Sequence, residues 1–140
     1  MRKDIKAGAT FPDYVLPDHT RTPRRLSDIQ GDQLMILVLT RGFFCPKDRQ
    51  HMLELVRFHP QFVVGYTQIV TITTDDWHTT NNYRQQTAAN WPFLYDEERV
   101  VQQDLEIKEY TDTMHDVMIP HTVVLGRGLR EFRVYNGYYY

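Results

Sequence analysis

The stretch Leu34-Met35-Ile36-Leu37-Val38-Leu39-Thr40-Arg41-Gly42-Phe43-Phe44-Cys45-Pro46 decides how this chain folds. Its six aliphatic residues, 34–39, are too few for a core helix and are closed by Gly42, so they read as a strand buried on both faces. Pro46 suits the first position of a helix, where its missing N–H would have had no partner in any case. Met52, Leu53, Leu55, Val56 and Phe58 follow at helical spacing among Asp48, Arg49, Gln50, Glu54 and Arg57. The pattern predicts a helix that begins at Pro46, takes Cys45 as its N-cap and ends at Pro60.

On the N-terminal side, Gly8, Pro12, Pro17, Pro23 and Gly31 break any long helix and leave short extended pieces. Leu26-Ser27-Asp28-Ile29-Gln30 reads as one helical turn, with Ser27 or a neighbour as cap and Gly31 as stop. On the C-terminal side, Gln68-Ile69-Val70-Thr71-Ile72-Thr73 is a second strand. Residues 77–89 form a polar helix preceded by the loop and cap residues Asp75-Asp76, residues 91–95 a short extended piece, and Val100 to Leu105 another helix. Thr122-Val123-Val124-Leu125 and Glu131-Phe132-Arg133-Val134-Tyr135 pair as a hairpin about Arg127-Gly128. Strands and helices alternate and then close with two adjacent strands, which predicts an α/β sandwich around a mixed sheet, a single domain spanning residues 1–140.

With 140 residues, 41% of them hydrophobic, the chain can bury a core without staples. One cysteine excludes an intrachain disulfide, a four-cysteine zinc cage and a two-cysteine redox pair within one molecule. Sixteen basic against eighteen acidic residues leave a net charge of -2, which gives no global field for a polyanion, so nucleic acid is not an expected partner. The cluster Arg21, Arg24, Arg25 reads as a solvated turn around Pro23, with phosphate contact as the other reading. The longest aliphatic run is far short of the roughly 20 residues that cross a bilayer, so no membrane span is expected. Nor does an apolar stretch follow the basic N-terminus, and the expected location is a reducing compartment, most simply the cytoplasm. The six histidines show no metal-ligand spacing, and neither a metal nor another cofactor is expected.

A cysteine between a buried strand and a helix start has a physical use, because the first-turn N–H groups and the macrodipole favour the thiolate, and the thiolate is the nucleophile. Arg41, Lys47 and Arg49 add positive charge in the same sense, and Phe43 and Phe44 supply an apolar wall. The alternative is that Cys45 is a small buried hydrophobe.

From Gly8 to Tyr135 the sequence resembles the alkyl hydroperoxide reductase/thiol-specific antioxidant (peroxiredoxin-like) branch of the thioredoxin-fold redoxins. The resemblance is carried by Gly8, Phe11-Pro12-Asp13-Tyr14, Leu16 and Asp18, then Leu26-Ser27-Asp28-Ile29 and Gly31, similar to the family's opening hairpin and first turn. It continues in the strand 34–39, in Arg41-Gly42-Phe43-Phe44-Cys45-Pro46, in Thr71-Ile72-Thr73-Thr74-Asp75 and in Trp91-Pro92-Phe93-Leu94-Tyr95-Asp96. It implies a thioredoxin-like sandwich with an N-terminal hairpin extension, and an antioxidant thiol oxidoreductase of the one-cysteine type. The Cys45 thiolate would attack a small peroxide and an external thiol reductant would resolve the sulfenic acid.

Three positions depart from the family pattern. The Pro seven residues before the cysteine and the Thr or Ser three before it stand here as Val38 and Gly42, and Thr40 lies on a different bearing. The family's catalytic Arg stands as Pro120, in a segment, Ile119-Pro120-His121-Thr122, that resembles the cis-proline element of thioredoxins. The resemblance thus implies a cis Pro120 close against Cys45, with an ordinary trans proline as the other reading. Asp48 stands where a thioredoxin has its second cysteine and many peroxiredoxins have Glu; as the third helical residue it also reads as a plain helix-start carboxylate. His121 reads as a base near Cys45 or as a strand-start residue facing solvent. Thioredoxin-fold chains usually finish with a helix, which this pattern lacks after the last strand. Tyr135, Tyr138, Tyr139 and Tyr140 would suit an interface over the open face, which predicts a homodimer. The alternative to an enzyme is a thioredoxin-fold protein without peroxidase chemistry, acting as a binding or interaction module or as a monothiol exchange protein.

Overall fold

The computed structural model describes residues 1–136. Strand β3, Leu34–Leu39, lies at the centre of a five-stranded sheet, paired in parallel with β4, Thr67–Thr73, and antiparallel with β6, His121–Gly126. Strand β5, Phe93–Tyr95, flanks β4, and β7, Arg130–Asn136, flanks β6, giving the order β5-β4-β3-β6-β7. The parallel step from β3 to β4 is carried by helix α2, Pro46–Val64, and the step from β4 to β5 by α3, Trp77–Thr87. A short hairpin, β1 (Val15–Pro17) with β2 (Pro23–Arg25), and the single-turn helix α1, Leu26–Gln30, precede the sheet, and α4, Val100–Asp104, follows β5. This is the mixed thioredoxin-like α/β sandwich with the N-terminal hairpin that the sequence predicts. Among the described residues no helix is long and apolar enough to cross a membrane.

Alternation along β3 sorts its side chains to two cores. Met35, Leu37 and Leu39 enter the larger cluster with Val70, Ile72, Leu94, Val123 and the α1 residues Leu26 and Ile29. Val38 joins Ile69, Phe93, Met52 of α2 and Tyr83 of α3 on the other face. From Leu37 to Leu39 the central strand is therefore buried on both faces, which is why it reads as an aliphatic run without polar alternation.

Two local expectations are corrected. Helix α2 does not stop at Pro60 but runs through it to Val64. Pro60 cannot donate to the Val56 carbonyl, yet Phe62 beyond it packs with Leu55 and Val56 against the second core, and that burial holds the last turn. The α1 cap is not Ser27. Its N-cap is Arg25, without a capping side chain, and the Ser27 N–H is bonded instead by the Asp13 carboxylate at 3.0 Å, a long-range cap. The arginine cluster is held within the fold: Arg24 pairs with buried Asp18 at 3.2 Å, Arg25 reaches Asp13 at 3.8 Å, and Arg21 lies 3.8 Å from the Trp77 ring centroid. Because Pro60 carries an interior-helix penalty, Pro60→Ala should raise stability by about 1–3 kcal/mol. A denaturant midpoint lower than wild type would show that the proline shapes α2.

Candidate active site

The end of β3 is fastened on both sides, with Leu39 opposite Ile72 of β4 and His121 of β6, and the Thr40 N–H donating to the Ile72 carbonyl at 3.1 Å. From there the chain turns sharply. The Cys45 N–H reaches back to the Gly42 carbonyl at 3.2 Å, and the Cys45 carbonyl receives the first helical hydrogen bond, from Arg49, at 3.0 Å. Cys45 is the N-cap of α2 with extended backbone angles, as the sequence predicts, and its side chain, which makes no capping hydrogen bond, leaves the residue 9% exposed.

Asp48 gathers this loop. Its side chain is buried, and it accepts from the Thr40 hydroxyl at 3.0 Å, from the Arg41 N–H at 2.6 Å and from the Arg41 guanidinium at 3.3 Å. A second carboxylate, buried Glu109, lies 4.0 Å from the other side of that guanidinium. Asp48 is thus more than a helix-start residue. Arg41 is less than a free positive charge beside Cys45, since two carboxylates compensate it. The Thr40 proton is committed to Asp48, and its oxygen receives the Gly42 N–H at 3.3 Å, so this hydroxyl does not replace the missing one at position 42.

The structure explains that missing hydroxyl. Gly42 has φ +134, a region costly for L side chains, and a Cβ built there would lie 2.8 Å from the Asp75 carboxylate. Asp75 fills the space on Gly42 and accepts the Phe43 N–H at 2.9 Å. Burial pushes its carboxyl above the usual range, against the opposing effect of that hydrogen bond. Asp75 is the residue that sequence reasoning missed. Of the two acids before α3, Asp76 performs the expected cap, accepting from the Thr79 N–H at 2.8 Å, which leaves the first free for a long-range contact. Beneath the loop, Tyr83 is fully buried and its hydroxyl has no hydrogen-bond partner of ordinary geometry. Burial raises the Tyr83 pKa above the ordinary phenol range.

Chain neighbours thus bring Cys45, Thr40, Arg41 and Asp48 together, whereas Pro120, just before β6, and His121, its first residue, stand differently from expectation. No cis peptide bond occurs in the described residues, so Pro120 is trans. The Ile119 N–H donates to the Ile107 carbonyl at 2.7 Å and His121 enters the sheet directly, an extended path that the intrinsically favoured trans bond satisfies. His121 does not face solvent. It is 4% exposed, its Nδ1 pairs with the Ile119 carbonyl at 2.9 Å, and burial holds its pKa below the ordinary value. The ring is there because β6 is an inner strand, flanked on both sides. On the outer side of the loop, Phe44 stacks on His115 with ring centroids 3.7 Å apart.

A thioredoxin-like fold with one cysteine at the head of the helix after the central strand defines the class of thiol-based redox proteins. The sequence model of the AhpC/TSA family matches residues 7–129, and the chain belongs to that family. A peroxiredoxin-named protein of Mycobacterium tuberculosis is 29% identical over 109 residues, covering 74% of this chain and 68% of that protein. Among solved structures, peroxidoxin BcpB from Mycobacterium tuberculosis superposes with a TM-score of 0.85 at 23% identity, covering 96% of this chain and 87% of that one. A cysteine-to-serine variant of Xylella fastidiosa PrxQ gives 0.83 at 17%, with the same coverage, and the yeast mitochondrial 1-Cys peroxiredoxin 0.78 at 12%, covering 94% and 67%.

The raised carboxyl of Asp75 has a consequence for stability. A carboxyl whose folded pKa exceeds its unfolded one of about 3.9 favours the folded state at low pH and loses that contribution as pH rises through the folded value. Asp75→Asn keeps an acceptor for Phe43 and removes the charge, so its stability relative to wild type should increase from about pH 4 towards neutrality. A pH-independent difference in denaturation midpoints would contradict this.

Proposed function

We propose that the chain works as a one-cysteine thiol peroxidase of the peroxiredoxin kind, with Cys45 as nucleophile. The observation that carries the reading is the placement of the lone cysteine at the N-cap of α2, in a loop whose geometry is set by Asp48, within the AhpC/TSA family. The Cys45 thiolate attacks the nearer oxygen of a small peroxide, R–O–O–H. The S–O bond forms as the O–O bond breaks, cysteine sulfur is oxidised to a sulfenic acid, and the departing oxygen takes up a proton to leave as R–OH. With no second cysteine in the chain, an external thiol condenses with the sulfenic acid, releasing water and forming a mixed disulfide. A second thiol then regenerates Cys45. The Arg41 side chain, held between Asp48 and Glu109, is the positioned cation of the loop, and its remaining N–H groups are the donors for the peroxide oxygens.

The absent hydroxyl at Gly42 and the absent guanidinium at Pro120 favour the second reading, a thioredoxin-fold protein without peroxidase activity that acts as an interaction module or in monothiol exchange. Peroxide consumption decides between them. The wild type should consume hydrogen peroxide only with an added thiol, form a sulfenate adduct with dimedone at Cys45, and lose at least 100-fold in rate in Cys45→Ser. A rate no higher than that of a free thiol would end the peroxidase reading.

A homodimer is part of the same proposal. Phe132 and Tyr135 of β7 are 70% and 46% exposed, which supports an interface there, while the predicted Tyr138, Tyr139 and Tyr140 lie outside the described residues. Light scattering should give twice the chain mass, and a monomer at high concentration would remove the dimer. A single cysteine kept as a free thiol suits a reducing compartment, most simply the cytoplasm, which cell fractionation tests.

A further inference from the structure

An open groove of about 290 Å³ between α2 and α3 is lined by Phe43 and Pro46, on either side of Cys45 in the chain, with Leu53 and the polar residues Arg49, Gln50, Gln86 and Thr87. Arg49 stands one helical turn after Cys45, its N–H donating to the Cys45 carbonyl, so the two residues share one face at the start of α2.

The charge state of this arginine sets it apart from the others at the loop. Arg41 is neutralised by Asp48 and Glu109, as described above. Arg49 has no carboxylate within ion-pair distance among the described residues. Its Nε is buried and has no hydrogen-bond partner, and the guanidinium carbon lies 5.4 Å from the Phe43 ring centroid. Among the described residues no acidic one lines the groove. A planar donor fork that is partly desolvated, has no anionic partner among the described residues and is fixed against an aromatic ring matches a carboxylate.

We propose that this groove is the docking subsite of the reducing thiol, and that Arg49 binds a carboxylate of that thiol. The preferred reductant is thus a small thiol carrying an acid group close to its sulfur. The inference rests on the peroxidase reading for its place in the cycle: the bound thiol, R–SH, attacks the Cys45 sulfenic acid, the S–O bond breaks, water leaves and Cys45–S–S–R forms. Attack by a second thiol on that disulfide returns the Cys45 thiol and releases R–S–S–R; the two electrons given up by the two thiols have reduced the sulfenic acid to the Cys45 thiol and water. Peptide amides of a larger acidic thiol find partners in the Gln50 and Gln86 side chains.

The test does not depend on peroxidase activity. Cys45 is loaded with a neutral 2-thiopyridyl group through a disulfide, and release of thiopyridone by mercaptoacetate is compared with release by 2-mercaptoethanol in the wild type, Arg49→Gln and Arg49→Lys. The carboxylate-to-neutral rate ratio should fall about tenfold in Arg49→Gln, recover in part in Arg49→Lys, and shrink in the wild type as salt is raised. Use of the ratio cancels any change in Cys45 reactivity or folding common to both thiols. A ratio in Arg49→Gln within twofold of the wild type would overturn the subsite. Failure of peroxide consumption with a large change in this ratio would instead reject the peroxidase reading and leave a carboxylate-selective thiol exchange site.

Discussion

The geometry of the site depends on one buried carboxylate. Asp48, on the first turn of α2, draws in the Thr40 hydroxyl and both the backbone and the side chain of Arg41, so the turn between the central strand and the helix is closed from the inside. A buried charge is costly unless its lone pairs are met, and three donors here meet them. The same contacts that make the carboxylate tolerable also hold the residue four positions after Thr40's neighbour Arg41, the cysteine, at the head of α2. Fold and site therefore share one constraint, and the site residues cannot be repositioned without breaking the loop closure.

A second constraint comes from the far side. Asp75, at the start of the segment leading to α3, presses its carboxylate on Gly42 and takes the Phe43 N–H. The glycine is required by both its φ of +134 and the absence of room for a Cβ, so a hydroxyl at that position is sterically excluded while Asp75 stays where it is. The departure at position 42 is thus compensated by a partner 33 residues later. It is a rebuilt loop and not a simple loss. At the Pro120 position no such exchange occurs. A trans proline and a buried histidine close the start of β6.

These two constraints divide the charges around Cys45 into groups with different duties. Arg41 is engaged in structure, between Asp48 and Glu109. Arg49 has no anionic partner among the described residues and lines a groove next to the cysteine segment. Counting basic residues near a cysteine treats them alike, whereas a compensated one offers only its remaining N–H donors and an uncompensated one can recruit an anion.

The order of the elements was legible because burial on two faces and the strand-to-helix switch leave patterns in a local window. The aliphatic run 34–39, Pro46 after Cys45 and the β-branched run 68–73 each announce their element, and the quartet Thr40, Arg41, Cys45, Asp48 lies within nine residues, so its convergence follows from the turn alone. What escaped local reading were contacts set by distant chain. The Asp13 cap of α1, the persistence of α2 through Pro60, the seating of Asp75 on Gly42 and the burial of His121 all depend on which element packs against which. By itself the sequence determined a thioredoxin-like sandwich with one nucleophile at a helix start, because hydrophobic period and backbone chemistry are local. Only the tertiary structure decided which charges are compensated, since a carboxylate finds its partner through space, and that pairing leaves Arg49 rather than Arg41 free to meet an anion.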